Sequence, residues 1–165
     1  MRQNRWSLRI LFLALAFSLP AVCQTSENCP WLNAATAAGA LKGSVTFTVT
    51  RSSADNADAT CEFTHQEGAA LTSLRIQVDT MKNPGREFSS YSAKCGQNAT
   101  PLRAIGNEAL VCSLRGKNQF SEQVVSRVRE RAFIVRISSN LAPTGESDLR
   151  ERTQKIAEQV AGFLF

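Results

Sequence analysis

Five cysteines, at positions 23, 29, 61, 95 and 112, constrain this chain more than any other feature. The first belongs to a leader. "MRQNRWSLRILFLALAFSLPAVC" carries Arg2, Arg5 and Arg9 without an acid, then an apolar run from Ile10 to Leu19 broken only by Ser18. That is the plan of a secretory signal peptide. A run of about ten apolar residues is too short for a hydrocarbon core that takes about twenty. Removal of residues 1–23 is therefore expected, leaving no transmembrane segment. Ala21 and Cys23 supply the small residues that signal peptidase accepts three and one places before its cut, which puts the mature start at Gln24. The alternative is a lipid anchor on Cys23, although Val22 stands where lipidated chains usually have Gly or Ala.

With Cys23 discarded, Cys29, Cys61, Cys95 and Cys112 form an even set. In an exported chain such a set reads as disulfides, because thiols stay oxidised outside the cytoplasm. Three pairings are possible. A metal site is not expected: no C-x-x-C or C-x-x-H spacing occurs, and His65 is the only histidine. Loss of Arg2, Arg5 and Arg9 leaves sixteen basic residues against fourteen acids, a net charge of +2 in place of +5. The basic character is partly a property of the leader, so nucleic acid is not an expected partner.

Residues 24–165 amount to one domain. "LNAATAAGALKG" predicts a short helix with Asn33 as its N-cap and Gly43 in the left-handed turn at its end. "SVTFTVT" alternates Val45, Phe47 and Val49 with threonines, the period of a half-buried strand. "TCEFTH" and "LTSLRIQVDT" predict two more, with Cys61 and Phe63, and Leu74, Ile76 and Val78, facing inward. "REFSSYSAKCG" spaces Phe88, Tyr91 and Cys95 as a helix closed by Gly96. "QNATPLRAIGN" reads as a loop. "EALVCSL" and "SEQVVSRVRERAFIVRISS" predict three further strands. "SDLRERTQKIAEQVAGFLF" is the clearest helix: Leu149, Ile156, Val160 and Phe163 on one face, and the pairs Asp148–Arg152 and Glu151–Lys155 on the other. The expected fold is α+β, a largely antiparallel sheet of about six strands covered by three helices in the order helix-βββ-helix-βββ-helix. Placed this way, Cys29 can staple the first helix to the second strand and Cys95 can reach the strand carrying Cys112. The predicted pairs are Cys29–Cys61 and Cys95–Cys112.

"CPWLNAATAAGALKG", "ATCEF", "AIGNEALVC", "VRERAFIVRISS" and "LRERTQKIAEQVAGFLF" together resemble the small secreted or lipid-anchored bacterial domains whose α+β fold is similar to PsbP-like domains. The resemblance covers most of the mature chain and implies an extracytoplasmic binding or sensory domain. That family carries no general catalytic set, and the residues here supply none. His65 sits before a turn and has no second histidine with which to form a relay, and no G-x-S-x-G elbow occurs. Asp55 and Asp58 lie in a polar loop, "GNE" at Gly106–Glu108 reads as a turn, and "NAT" at Asn98–Thr100 reads as a chance match to a glycosylation acceptor.

In "SRVRERAFIVR" a single flat strand would put Arg127, Arg129 and Arg131 on one side with Phe133, Val135 and Ile137, so a turn or bulge near Glu130 is required. The three arginines then crowd a hairpin tip, near Arg115 and Lys117. This tip is either a solvated strand end or a docking patch for an acidic partner. The functional expectation is an exported, periplasmic or secreted, non-catalytic module that binds a small ligand or an anionic envelope component, without metal or cofactor. The alternative is a small secreted enzyme working with carboxylates and arginines.

Overall fold

Period-two alternation builds most of the molecule. In the computed structural model, which describes residues 28–51, 58–142 and 146–165, seven strands form one antiparallel sheet. They are β1 (Thr46–Arg51), β2 (Ala59–Glu67), β3 (Ala70–Thr80), β4 (Thr100–Leu102), β5 (Glu108–Gly116), β6 (Gln119–Val128) and β7 (Arg131–Ser139), in spatial order β1-β2-β3-β7-β6-β5-β4. The helices are α1 (Ala34–Leu41), α2 (Pro84–Ser92), which continues as a 3-10 segment over Ala93–Asn98, and α3 (Glu146–Leu164). The leader, the cleavage residues Cys23 and Gln24, and Asp55 lie outside the described residues.

The sheet has two unlike faces. On the first, Cys61, Phe63, Leu74, Ile76, Val78, Val111, Val124, Phe133, Val135 and Ile137 form a continuous apolar floor roofed by α1 and α3. On the second, α2 and the 3-10 segment cover only the β4–β7 half, packing Phe88 and Cys95 on Cys112, Val125, Ala132 and Ile134. The rest of that face, on β1–β3, carries Thr46, Thr48, Thr50, Thr60, Glu62, Thr64, Ser73, Arg75 and Gln77. Polar residues there keep the sheet one-sided, as antiparallel sheets permit.

Two disulfides bind the layers: Cys29–Cys61 on the first face and Cys95–Cys112 on the second. This is the pairing expected from element order. Two disulfides suit a compartment other than the reducing cytoplasm. No helix among the described residues is long and apolar enough to cross a membrane.

Four local expectations are corrected. The described residues form seven strands where about six were expected, because "TPL" inside the expected loop adds β4 at the sheet edge. Three residues are too few to show a period, and Pro101 is tolerated because an edge strand has one side without ladder bonds. Asn33 does cap α1, its Oδ1 accepting from the Thr36 N–H at 2.8 Å, yet Lys42 and not Gly43 takes the left-handed conformation, with φ of 63°. Gly43 is needed for space instead: a Cβ there would meet the His65 ring at 2.1 Å, where Nδ1 donates to the Ser44 carbonyl at 2.8 Å. Phe163 is 61% exposed because the buried stripe of α3 is centred on Thr153, Ala157 and Val160, and small residues carry its far side. Finally, Arg115 and Lys117 are not near the arginine-rich tip. The β5–β6 and β6–β7 turns cap opposite ends of β6, about 30 Å apart for ten residues of strand.

Candidate functional site

The required turn in "SRVRERAFIVR" is present as Arg129-Glu130 between β6 and β7, with Arg129 at φ of 54°. It separates the three arginines. Arg127 lies on the second face and pairs with Glu108, Arg131 lies on the first face opposite Val128, and Arg129 occupies the turn. The loop before β5 braces this tip. Asn107 donates its N–H to the Arg127 carbonyl at 2.7 Å and accepts from the Arg129 N–H at 2.7 Å. Gly106, at φ of 68°, packs so close that a Cβ would stand 2.4 Å from the Arg127 carbonyl oxygen. "GNE" is thus part of a turn brace, and the three arginines do not converge on one point.

A different set of cations does converge. Antiparallel pairing of β3 with β7 places Arg75 directly opposite Arg136 on the second face. Like charges facing each other across a ladder destabilise it. The two guanidinium groups line a recess of about 190 Å³ with Gln77, Ile134 and Lys94. Three cationic residues and no acid line this concavity, with Asp79 just beyond it accepting from Gln77 Nε2 at 2.7 Å.

Each cation is held differently. Arg136 is half-buried and donates from Nε to Gln123 Oε1 at 2.8 Å, with Nη2 donating to the same oxygen. Burial first, and then the Arg75 charge, pulls its guanidinium below the usual arginine range. Gln123 is fully buried and lies against the second disulfide: its Nε2 is 3.9 Å from both Cys95 Sγ and Cys112 Sγ, and 3.5 Å from the Lys94 carbonyl. Lys94 belongs to the 3-10 segment that this disulfide ties to β5, and its ammonium stands 5.0 Å over the Tyr91 ring. Tyr91 lies close enough to Asp79 to feel its charge. Burial, followed by the Asp79 charge and hydrogen bond, pushes the phenol up to about 12, so it stays a donor across the neutral range. Arg75 is exposed and makes no hydrogen bond or ion pair among the described residues, although Glu62 flanks it on β2.

The arrangement fits an oxyanion. A guanidinium free to bond two oxygens, a second that is oriented by Gln123, and an ammonium on the wall match a phosphate or sulfate group. Its lining holds no carboxylate and no histidine. His65 is committed to Ser44 on the other face, and Asp58 spends one oxygen on the Thr80 N–H and hydroxyl at 2.8 and 2.7 Å. Among the described residues no group of three or more His, Cys, Asp or Glu could hold a metal ion. A larger open groove, about 460 Å³, runs between α2 and the β4–β5 edge past Phe88, Pro101 and Leu110, but its one charged lining residue, Glu108, is already paired with Arg127.

Sequence reasoning missed Arg75, Arg136 and Lys94 because nothing in the chain order joins them. Their signal was local: Arg136 interrupts the apolar run "AFIVRIS", and a charge inside a strand buried on both sides needs a partner or a function. Comparison with family models, with curated proteins and with solved structures finds no match to this chain.

Proposed function

We propose that this protein is an exported, non-catalytic binding domain whose ligand presents an oxyanion to Arg75, Arg136 and Lys94. One observation carries the reading: two arginines stand directly opposite one another in a recess without an acid. The Arg75–Arg136 juxtaposition is repulsive, with only Glu62 across from Arg75 on β2 to offset it, whereas a bound dianion would neutralise both guanidinium groups. Export rests on the leader and on the two disulfides, and agrees with the extracytoplasmic binding role that the PsbP-like resemblance implies. The arginine-rich tip is the weaker docking surface, because Arg127 is neutralised by Glu108 and Arg131 faces away.

The test is titration of the disulfide-intact protein with inorganic phosphate and with sulfate at low salt, followed by amide NMR shifts. Shifts are expected around Arg75, Arg136 and Lys94. Arg75→Gln should weaken binding at least about tenfold, the equivalent of 1.4 kcal/mol. The same change should alter stability by no more than a few tenths of a kcal/mol, since it removes both the like-charge pair with Arg136 and the opposite-charge cross-strand pair with Glu62. Equal binding by wild type and Arg75→Gln, or no binding of either anion, would refute the proposal.

A further inference from the structure

The oxyanion recess has a neighbour. Ser73 and Ser138 lie two residues from Arg75 and Arg136 on β3 and β7, and they too are cross-strand partners. Two residues along a strand return to the same face about 7 Å away. There Ser73 and Ser138 line a second recess of about 320 Å³, with Leu71, Lys117, Asn118 and Asn140 around it. The two concavities are adjacent along one pair of strands, one lined by Arg75, Arg136 and Lys94 and the other by polar groups with a single cation, Lys117.

The polar groups of the second recess differ in availability. Asn140 is spent: its Oδ1 accepts from the Leu71 N–H at 2.8 Å, and its Nδ2 donates to the Ala69 carbonyl at 2.8 Å. Ser138 accepts from the Ser121 hydroxyl at 2.9 Å, which leaves its own proton to donate. Ser73, Lys117 and Asn118 have no side-chain partner among the described residues. A hydroxyl, an ammonium and an amide therefore face a concavity beside the anion site.

We infer that the ligand is a phosphorylated sugar, with its phosphate among Arg75, Arg136 and Lys94 and its hydroxyl-bearing ring over Ser73 and Ser138 toward Asn118. This rests on the oxyanion reading above and adds the chemical class. The alternatives fit the lining less well. An acyl chain would desolvate these polar groups without pairing them. A nucleobase would want an aromatic platform, and no aromatic ring lines either recess. Sugar hydroxyls both donate and accept, as the free serine and asparagine groups require.

The experiment compares calorimetric titrations of the disulfide-intact protein with glucose 6-phosphate, inorganic phosphate and glucose, on wild type, Ser73→Ala, Asn118→Ala and Arg75→Gln, each with its fold checked by circular dichroism. The sugar phosphate should bind at least about tenfold more tightly than phosphate, the yield of about two added hydrogen bonds, and glucose alone should bind too weakly to register. Ser73→Ala and Asn118→Ala should each erode the sugar-phosphate advantage several-fold and leave phosphate unchanged. Arg75→Gln should weaken both anions. If phosphate binds through Arg75 but the sugar adds nothing, or if glucose binds as well as its phosphate, the sugar-phosphate assignment falls and the oxyanion site stands. If neither anion binds, both readings fall.

Discussion

The two disulfides make the same covalent bond on opposite faces of one sheet, and they do different work. Cys29–Cys61 lies in the apolar layer under α1 and α3, where it ties the segment bearing the buried Trp31 and Leu32 to the floor of β2. Its surroundings are hydrocarbon, so its contribution is to the fold. Cys95–Cys112 ties a 3-10 segment to β5 on the half-covered face and lies against Gln123, which in turn orients Arg136. The same segment carries Lys94. The second bond therefore fixes one wall of the oxyanion recess and the glutamine that orients another. A complete face holds a sheet together; an incomplete face leaves room for a site, and its staple becomes part of that site.

Replacing each disulfide by a pair of alanines breaks the comparison most directly. The bridges span sequence separations of 32 and 17 residues. By the chain-entropy argument each loss should cost about 3–4 kcal/mol, the longer loop slightly more. Urea midpoints measure that cost. Phosphate titration separates the roles: the Cys29→Ala/Cys61→Ala variant should bind phosphate as wild type does while folded, and the Cys95→Ala/Cys112→Ala variant should lose most of its affinity. Equal loss in both would mean that the second bridge does not position the recess.

A smaller effect is expected at Gln123, the link between bridge and recess. Gln123→Leu fills the same space but withdraws the acceptor from Arg136 Nε and Nη2. Leaving those donors half-buried and unpaired should cost about 1–3 kcal/mol. Phosphate affinity should fall less than with Arg75→Gln, since the guanidinium remains and only its orientation is lost. An affinity equal to wild type would remove Gln123 from the account and leave it a buried core amide.

The two faces were not equally legible in the chain. The covered face is written in alternation: Cys61, Phe63, Leu74, Ile76 and Val78 mark one side of consecutive strands, and Leu149, Ile156 and Val160 mark the helix that roofs them. Local periods suffice when burial is continuous. The second face needed the pairing of β3 with β7, residues more than fifty positions apart, before Arg75 met Arg136. Charge clustering along the chain drew attention to Arg127, Arg129 and Arg131 instead, and β-alternation with a two-residue turn then split them. Proximity in sequence is a poor guide in a strand, where neighbours face opposite sides. Phe163 shows the complementary limit: helical spacing was right, but the small residues Ala157 and Ala161 shifted the centre of the buried stripe.

The smallest expected effect belongs to the covered face and tests its independence from the site. Lys42, at the left-handed end of α1, bonds Asp148 in the first turn of α3 at 2.7 Å, and Arg152 reaches the same oxygen at 3.0 Å. The Lys42 hydrogen bond first, with the Arg152 and Lys42 charges behind it, holds the Asp148 carboxyl below its usual 3.8. A carboxylate whose folded value is depressed stabilises the fold fully above the unfolded value, and that stability is lost as pH falls through the folded one. Asp148→Asn should therefore be less stable than wild type at neutral pH, with the gap closing as pH drops below about 4. Because the Asp148 side chain is 44% exposed, solvent screens the pair and the gap should stay within about 1 kcal/mol, narrowing further in salt. Arg152 keeps its bond to the Ala40 carbonyl at 2.6 Å, so the two helices stay joined in the variant. Phosphate binding should not change, since α1 and α3 lie on the side of the sheet away from Arg75 and Arg136. Urea denaturation across pH, with phosphate titration at neutral pH, checks both halves. A gap that persists in acid would assign the effect to packing and not charge, and weakened phosphate binding would show that the two faces are coupled.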